Sequence, residues 1–210
     1  TINSSSANYQ GLFGYVGSSG KVQNLTVSGT VIGRMKVGGI AGQNLGNVIN
    51  CAFSGSVKGS GSIVGGVVGH NDGGSITNCY FLKTDDVNKD LPGIGANLGS
   101  GSASAKDDTA FHSGEVAWLL QKGQTAAEGG VVPLAWGQSK LGETTSLPTL
   151  NPTDEQRVYQ VTFYYGDSFT ETDDRYDYHY ANANDNVTLP TSTDQIPEYE
   201  GHILTGWQNG

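Results

Sequence analysis

Glycine-punctuated segments recur through the first eighty residues, and that recurrence constrains the fold more than any other feature. Gly14-Tyr15-Val16-Gly17, Gly39-Ile40-Ala41-Gly42 and Gly66-Val67-Val68-Gly69 align, and the column Gly17, Gly42, Gly69 has spacings of 25 and 27 residues. Each is followed by a second motif: Val22-Gln23-Asn24-Leu25-Thr26-Val27, Val48-Ile49-Asn50-Cys51-Ala52-Phe53 and Ile76-Thr77-Asn78-Cys79-Tyr80-Phe81. Its asparagines are 26 and 28 residues apart. A period drifting in the twenties is that of solenoid coils whose turns accept single insertions.

The columns carry the chemistry of stacked coils. Val22, Val48 and Ile76 form one apolar column, Leu25, Cys51 and Cys79 a second, and Val27, Phe53 and Phe81 a third. Coils about 4.8 Å apart bury such columns as ladders. Asn24, Asn50 and Asn78 are expected at a bend, where the amide bonds from coil to coil and asparagine tolerates left-handed backbone. Gly29 and Gly55 close strands, and Val31 and Val57 open the next. Three coils are barely enough for stability, and further coils are expected ahead of Thr1.

The pattern, as in Gly11-Leu12-Phe13-Gly14 and Val48-Ile49-Asn50-Cys51, resembles the GLUG motif over about residues 11 to 82. That resemblance implies a bacterial surface protein, in a group that includes some IgA-cleaving metallopeptidases. Expected from residues and resemblance together is a mainly β chain in three parts. A short parallel β-solenoid spans 1–98, a connector with a helical cap 99–152, and a small β-grasp module 153–210.

Beyond Leu82 the repeat dissolves, and Gly93 to Ser104 reads as a Gly/Ser/Ala connector. A helix is expected over Ser113 to Lys122, with Ser113 as N-cap, a Val116, Leu119, Leu120 stripe, and Gly123 as its stop. Trp118 and Trp136 are then available to cover an open solenoid end, and Pro148 to Pro152 reads as a linker. Val158 to Tyr165 alternates as a strand, Tyr176, Tyr178 and Tyr180 alternate in another, and Val187-Thr188-Leu189-Pro190 makes a third. With Gly201-His202-Ile203-Leu204-Thr205-Gly206-Trp207, this order resembles the internalin B-type repeat, a β-grasp spacer or adhesive unit of the cell exterior.

Several chemistries are disfavoured. At a net charge of −9, no basic stripe is available for nucleic acid. No run approaches the roughly 18 apolar residues of a membrane span, so no membrane insertion is expected of this segment. No two of His70, His112, His179 and His202 have His-Glu-x-x-His spacing. Asp72 is the single acid between Gly11 and Phe81, too few for glycoside hydrolysis on the coils. Gly93-Ile94-Gly95 lacks the strand, third glycine and helix start of a nucleotide loop. Asp167, Asp173, Asp174 and Asp177 lack a calcium-loop pattern and read as a solvated hairpin. His70-Asn71-Asp72-Gly73-Gly74 reads as a turn, and Cys51 and Cys79 as packed thiols or a disulfide. No catalytic, cofactor or metal residue is expected, and the chain is expected to be monomeric. The remaining candidates for contact are Tyr164, Tyr176, Tyr178 and Tyr180, facing a host protein or glycan or else packing a sheet.

Overall fold

In the computed structural model, described over residues 1–124, 136–164, 175–183, 185 and 187, the chain is mainly β. Its first half is a parallel solenoid. Coil 1 comprises β1 (Ile2–Asn3), β2 (Phe13–Val16) and β3 (Lys21–Val27); coil 2 comprises β4 (Thr30–Gly33), β5 (Val37–Gly38), β6 (Ala41–Asn44) and β7 (Asn47–Phe53). Coil 3 repeats this as β8 (Ser56–Gly59), β9 (Val64–Gly65), β10 (Val68–Asn71) and β11 (Ser75–Leu82), and coil 4 keeps only β12 (Ile94–Asn97) and β13 (Ser100–Lys106). Stacking gives the parallel sheets β1-β4-β8, β2-β6-β10-β12 and β3-β7-β11-β13, with β5 beside β9.

The apolar columns are as expected: Val22, Val48 and Ile76 stand in register, as do Leu25, Cys51 and Cys79, and Val27, Phe53 and Phe81. Val31 and Val57 also pair. The glycine column needs correction. Phe13 pairs with Ala41 and Tyr15 with Gln43, so the glycine column runs Gly14, Gly42, Gly69, Gly95, and Gly17 does not belong to it. The reason is steric. A Cβ at Gly42 would lie 2.5 Å from the Tyr9 carbonyl carbon, and one at Gly69 2.5 Å from the backbone of Lys36, so both positions need glycine for the coil to close.

Gly93 to Ser104 is not a connector but most of the fourth coil, which runs through Lys106. Gly101 pairs with Ile76, Ala103 with Cys79 and Ala105 with Phe81. The columns continue in small residues, which is why no apolar repeat is visible there.

Coil 4 has no strand beside β8. Instead the buried Asn88 brings its amide to that edge: Oδ1 accepts from Val57 N at 2.9 Å, and Nδ2 donates to the carbonyls of Gly55 at 2.9 Å and Leu82 at 2.7 Å. One side chain thus replaces a missing peptide rung. Asn88→Ala leaves these buried groups unpaired, and a loss of about 1–3 kcal/mol is expected, read as a lower urea midpoint at unchanged slope.

After β13 the chain forms α1 (Asp108–His112) and α2 (Glu115–Lys122). Asp107 caps α1 by accepting from Ala110 N at 2.8 Å. Ser113 ends α1 rather than starting α2, whose N-cap is Gly114 at φ 96°, a conformation that would strain serine. Gly123 ends α2 as expected. Among the described residues the lobe does not cover an end of the solenoid. Its buried Phe111, Val116, Leu120 and Trp136 pack with Ala52 and Leu82, the outward-facing partners of Phe53 and Phe81, so it lies along the flank.

Residues Pro148 to Pro152 are not a free linker. There β15 (Thr149–Leu150) pairs antiparallel with β14 (Trp136–Gly137). Beyond a short 3-10 turn at Asp154–Gln156, β16 (Val158–Tyr164) and β17 (Arg175–Asn182) form an antiparallel hairpin. Leu189-Pro190, Gly206-Trp207 and Asp167, Asp173 and Asp174 lie outside the described residues.

Candidate functional site

The polar side chains of the solenoid are gathered in two asparagine columns. Asn24, Asn50 and Asn78 have φ of 56°, 55° and 49°, the left-handed bend expected from sequence. The amides of Asn24 and Asn50 meet at 2.7 Å, and those of Asn50 and Asn78 are also bonded. A second column was not anticipated. Asn44 Nδ2 donates to Asn71 Oδ1 and Asn71 Nδ2 to Asn97 Oδ1, each at 2.8 Å, and the three also bond the carbonyls of Gly46, Gly74 and Gly101. Its signal was present as Gly-x-Asn at 42–44, 69–71 and 95–97.

The first column does more than join coils. Helix α2 ends against it, and the last carbonyls of any helix lack intrahelical donors. The Asn50 amide lies 2.8 Å from both Trp136 Nε1 and the Leu120 carbonyl oxygen. Asn78 Nδ2 donates to the Leu119 carbonyl at 3.4 Å, and Tyr80 Oη donates to Asn78 Oδ1 at 2.6 Å. Burial pushes the Tyr80 phenol up, so it stays a donor. The column is therefore the seat of the helical lobe.

Turn residues His70 to Gly74 serve the stack as well. Asn71 belongs to the second column, Gly73 has φ 88°, and Asp72 Oδ2 accepts from Gln43 Nε2 at 2.8 Å, while Gln43 Oε1 accepts from Lys36 Nζ at 2.8 Å. No group of three or more His, Cys, Asp or Glu able to hold a metal occurs among the described residues.

Cys51 and Cys79 are buried, free and in register. Their sulfurs face the carbonyls of Ile49 at 3.1 Å and Thr77 at 3.3 Å. The bond to Cys79 and burial push the Cys51 thiol well above its ordinary range. Because both thiols are buried, neither should react with a maleimide in the native protein, and both should in denaturant. A rapid native reaction would contradict the packing.

The tyrosines divide. Tyr178 pairs with Thr162 and Tyr180 with Gln160 across the hairpin, and Tyr164 is opposite Arg175; of Tyr164, Tyr176 and Tyr178 only the strand positions are described. Tyr180 is a packing residue: its ring lies 5.8 Å from that of Trp118, which Lys122 Nζ covers at 4.6 Å. Asn182 Nδ2 donates to the Gln138 carbonyl at 3.0 Å, tying the hairpin to the lobe.

Comparison with known proteins agrees with this geometry. No solved structure matches the chain. Halomucin of Haloquadratum walsbyi is 41% identical over 70 residues, which is 33% of this chain and 1% of that protein. Residues 33–58 and 60–82, which run through coils 2 and 3, match the family model described as the GLUG motif.

Proposed function

We propose that the chain is a non-catalytic structural segment of a surface-exposed protein, a braced spacer that holds other parts of that protein at a distance. The observation that carries this reading is the bracing. Asn50 and Asn78 seat the helical lobe on the solenoid flank, and the Trp118–Tyr180 ring contact and the Asn182–Gln138 bond tie the hairpin to the lobe. The asparagines of both columns are spent on holding coils and lobe together. The GLUG matches and the likeness to a protein named as a mucin support placement on the cell exterior. We read the hairpin as the start of an internalin B-type β-grasp module, which the strand register of β16 and β17 supports.

The test is twofold. On intact source cells, antibody to the solenoid should label the surface. On glycan and extracellular-matrix arrays the purified chain should bind nothing specifically. Absence of surface labelling sinks the reading. So does array binding that Tyr176→Ala or Tyr178→Ala abolishes at unchanged stability, which would make the hairpin an adhesive site instead.

A further inference from the structure

The two ends of the solenoid are built differently. At the fourth coil the columns shrink to Gly101, Ala103 and Ala105, the alternate positions are Ser102 and Ser104, and the strand closes on Lys106. Asn88 fills the edge of β8. The register of β13 on β11 also shifts between Ile76 and Cys79, and a bulge of this kind blunts a sheet edge against further pairing.

The first coil has the opposite character. Ile40, Ala41, Val67 and Val68 are fully buried in coils 2 and 3, whereas Leu12 and Phe13 on the same columns are 45% and 40% exposed. Tyr15, in register with Gln43, is 57% exposed. Val22, Leu25 and Val27 are only partly buried where Val48, Cys51 and Phe53 are completely so. Among the described residues, strands β2 and β3 each pair on one side alone. Between them Ile2, Leu12, Val27, Val31 and Phe53 line a shallow apolar hollow. Coil 1 thus carries the side chains of an interior coil at an open face.

We propose that this face receives a further parallel coil of the same repeat, joined to coil 1 as coils 1 to 4 are joined to one another, and that the array is terminated only at coil 4. Continuity with the coil–coil interface is the argument: the apolar columns, the Asn24 column and both sheets extend in register through the open face. A second copy of the chain suits it less. It could offer its blunted coil 4, whose columns are small, or its own coil 1 in antiparallel sense, which breaks the asparagine register. The inference stands whether or not the chain acts as a spacer.

Register dictates the test. Ile2 pairs with Val31, and Thr30 pairs with Ser56, so Thr1 occupies the position of Thr30 and Ser56. A copy of residues 37–55, or separately of residues 10–29, placed directly ahead of Thr1 therefore supplies the missing coil. In either extended protein, amide exchange over Lys21–Val27 should slow at least about tenfold, because local opening now breaks a second ladder. Binding of a hydrophobic dye should fall, and Phe13→Ser should lower Tm more than it does in the 210-residue chain. The 210-residue chain itself should sediment as a monomer. Unchanged exchange in β3, or failure of both extensions to fold, overturns the proposal. So does a dimer of the 210-residue chain that Phe13→Lys dissociates, which would assign the face to a second copy.

Discussion

Replacing Phe81 with alanine is expected to cost about 3–5 kcal/mol, the range for a fully buried aromatic ring, against a total stability of about 5–15 kcal/mol. Phe81 is 1% exposed, and its ring lies flat against Gly66, where an added Cβ would be 2.1 Å from Cδ2. The three atoms nearest that Cβ all belong to the ring. Gly66→Ala alone should therefore be strongly destabilising, since neither backbone nor ring can yield in a packed interior. The sharper expectation concerns the pair. In a Phe81→Ala background the added methyl fills part of the vacated space, so the double variant should be more stable than the sum of the single losses by at least about 1 kcal/mol. Urea unfolding of the four proteins decides this, with Leu98→Ala as the neutral control because Leu98 is 72% exposed. Additive losses would mean that ring and glycine do not form the close contact.

The second large effect is expected at Asn50. Asn50→Ala removes the amide that joins Asn24 to Asn78 and lies against the Leu120 carbonyl and the Trp136 indole, and puts a non-glycine residue without a helpful side chain at φ 55°. Stranding buried partners costs about 1–3 kcal/mol, and left-handed backbone adds about 1–2 kcal/mol. Asn50→Gly separates the two contributions, because glycine adopts this conformation freely but has no amide. It should recover about 1 kcal/mol relative to alanine and leave the rest lost. Trp136 fluorescence should report weakened docking of the lobe in both variants, and more in neither. If glycine restores full stability, the amide column contributes nothing and the left-handed bend alone explains the asparagines.

The expectations that held rest on side chains that repeat in size and type. Val22, Val48 and Ile76 could be aligned by eye because burial demands an aliphatic group at every level. The asparagines betrayed their left-handed backbone because few other residues tolerate it. Only the glycine segment of coil 1 reads three residues out of register, because Gly11-Leu12-Phe13-Gly14-Tyr15-Val16-Gly17 contains two overlapping Gly-x-x-Gly frames. Only the close approach of another coil's backbone chooses between them. Coil 4 was missed because alanine and serine satisfy a ladder without leaving an apolar signature. Placement of the helix along the flank was illegible for another reason. The groups that seat it are the carbonyls of Leu119 and Leu120, and a backbone carbonyl has no letter in a sequence.

A stack in which each layer touches only its neighbours unravels from its ends, layer by layer, as a one-dimensional array. This solenoid has a second connection between layers. The lobe reaches β3 through β15 and both β7 and β11 through α2. Like a splint across several vertebrae, it makes the loss of any one of three layers entail the loss of a shared contact. Coils 1 to 3 should therefore melt as a single cooperative unit with the lobe. Length could then be added to such a stack without loss of cooperativity only in steps that bring a splint with them.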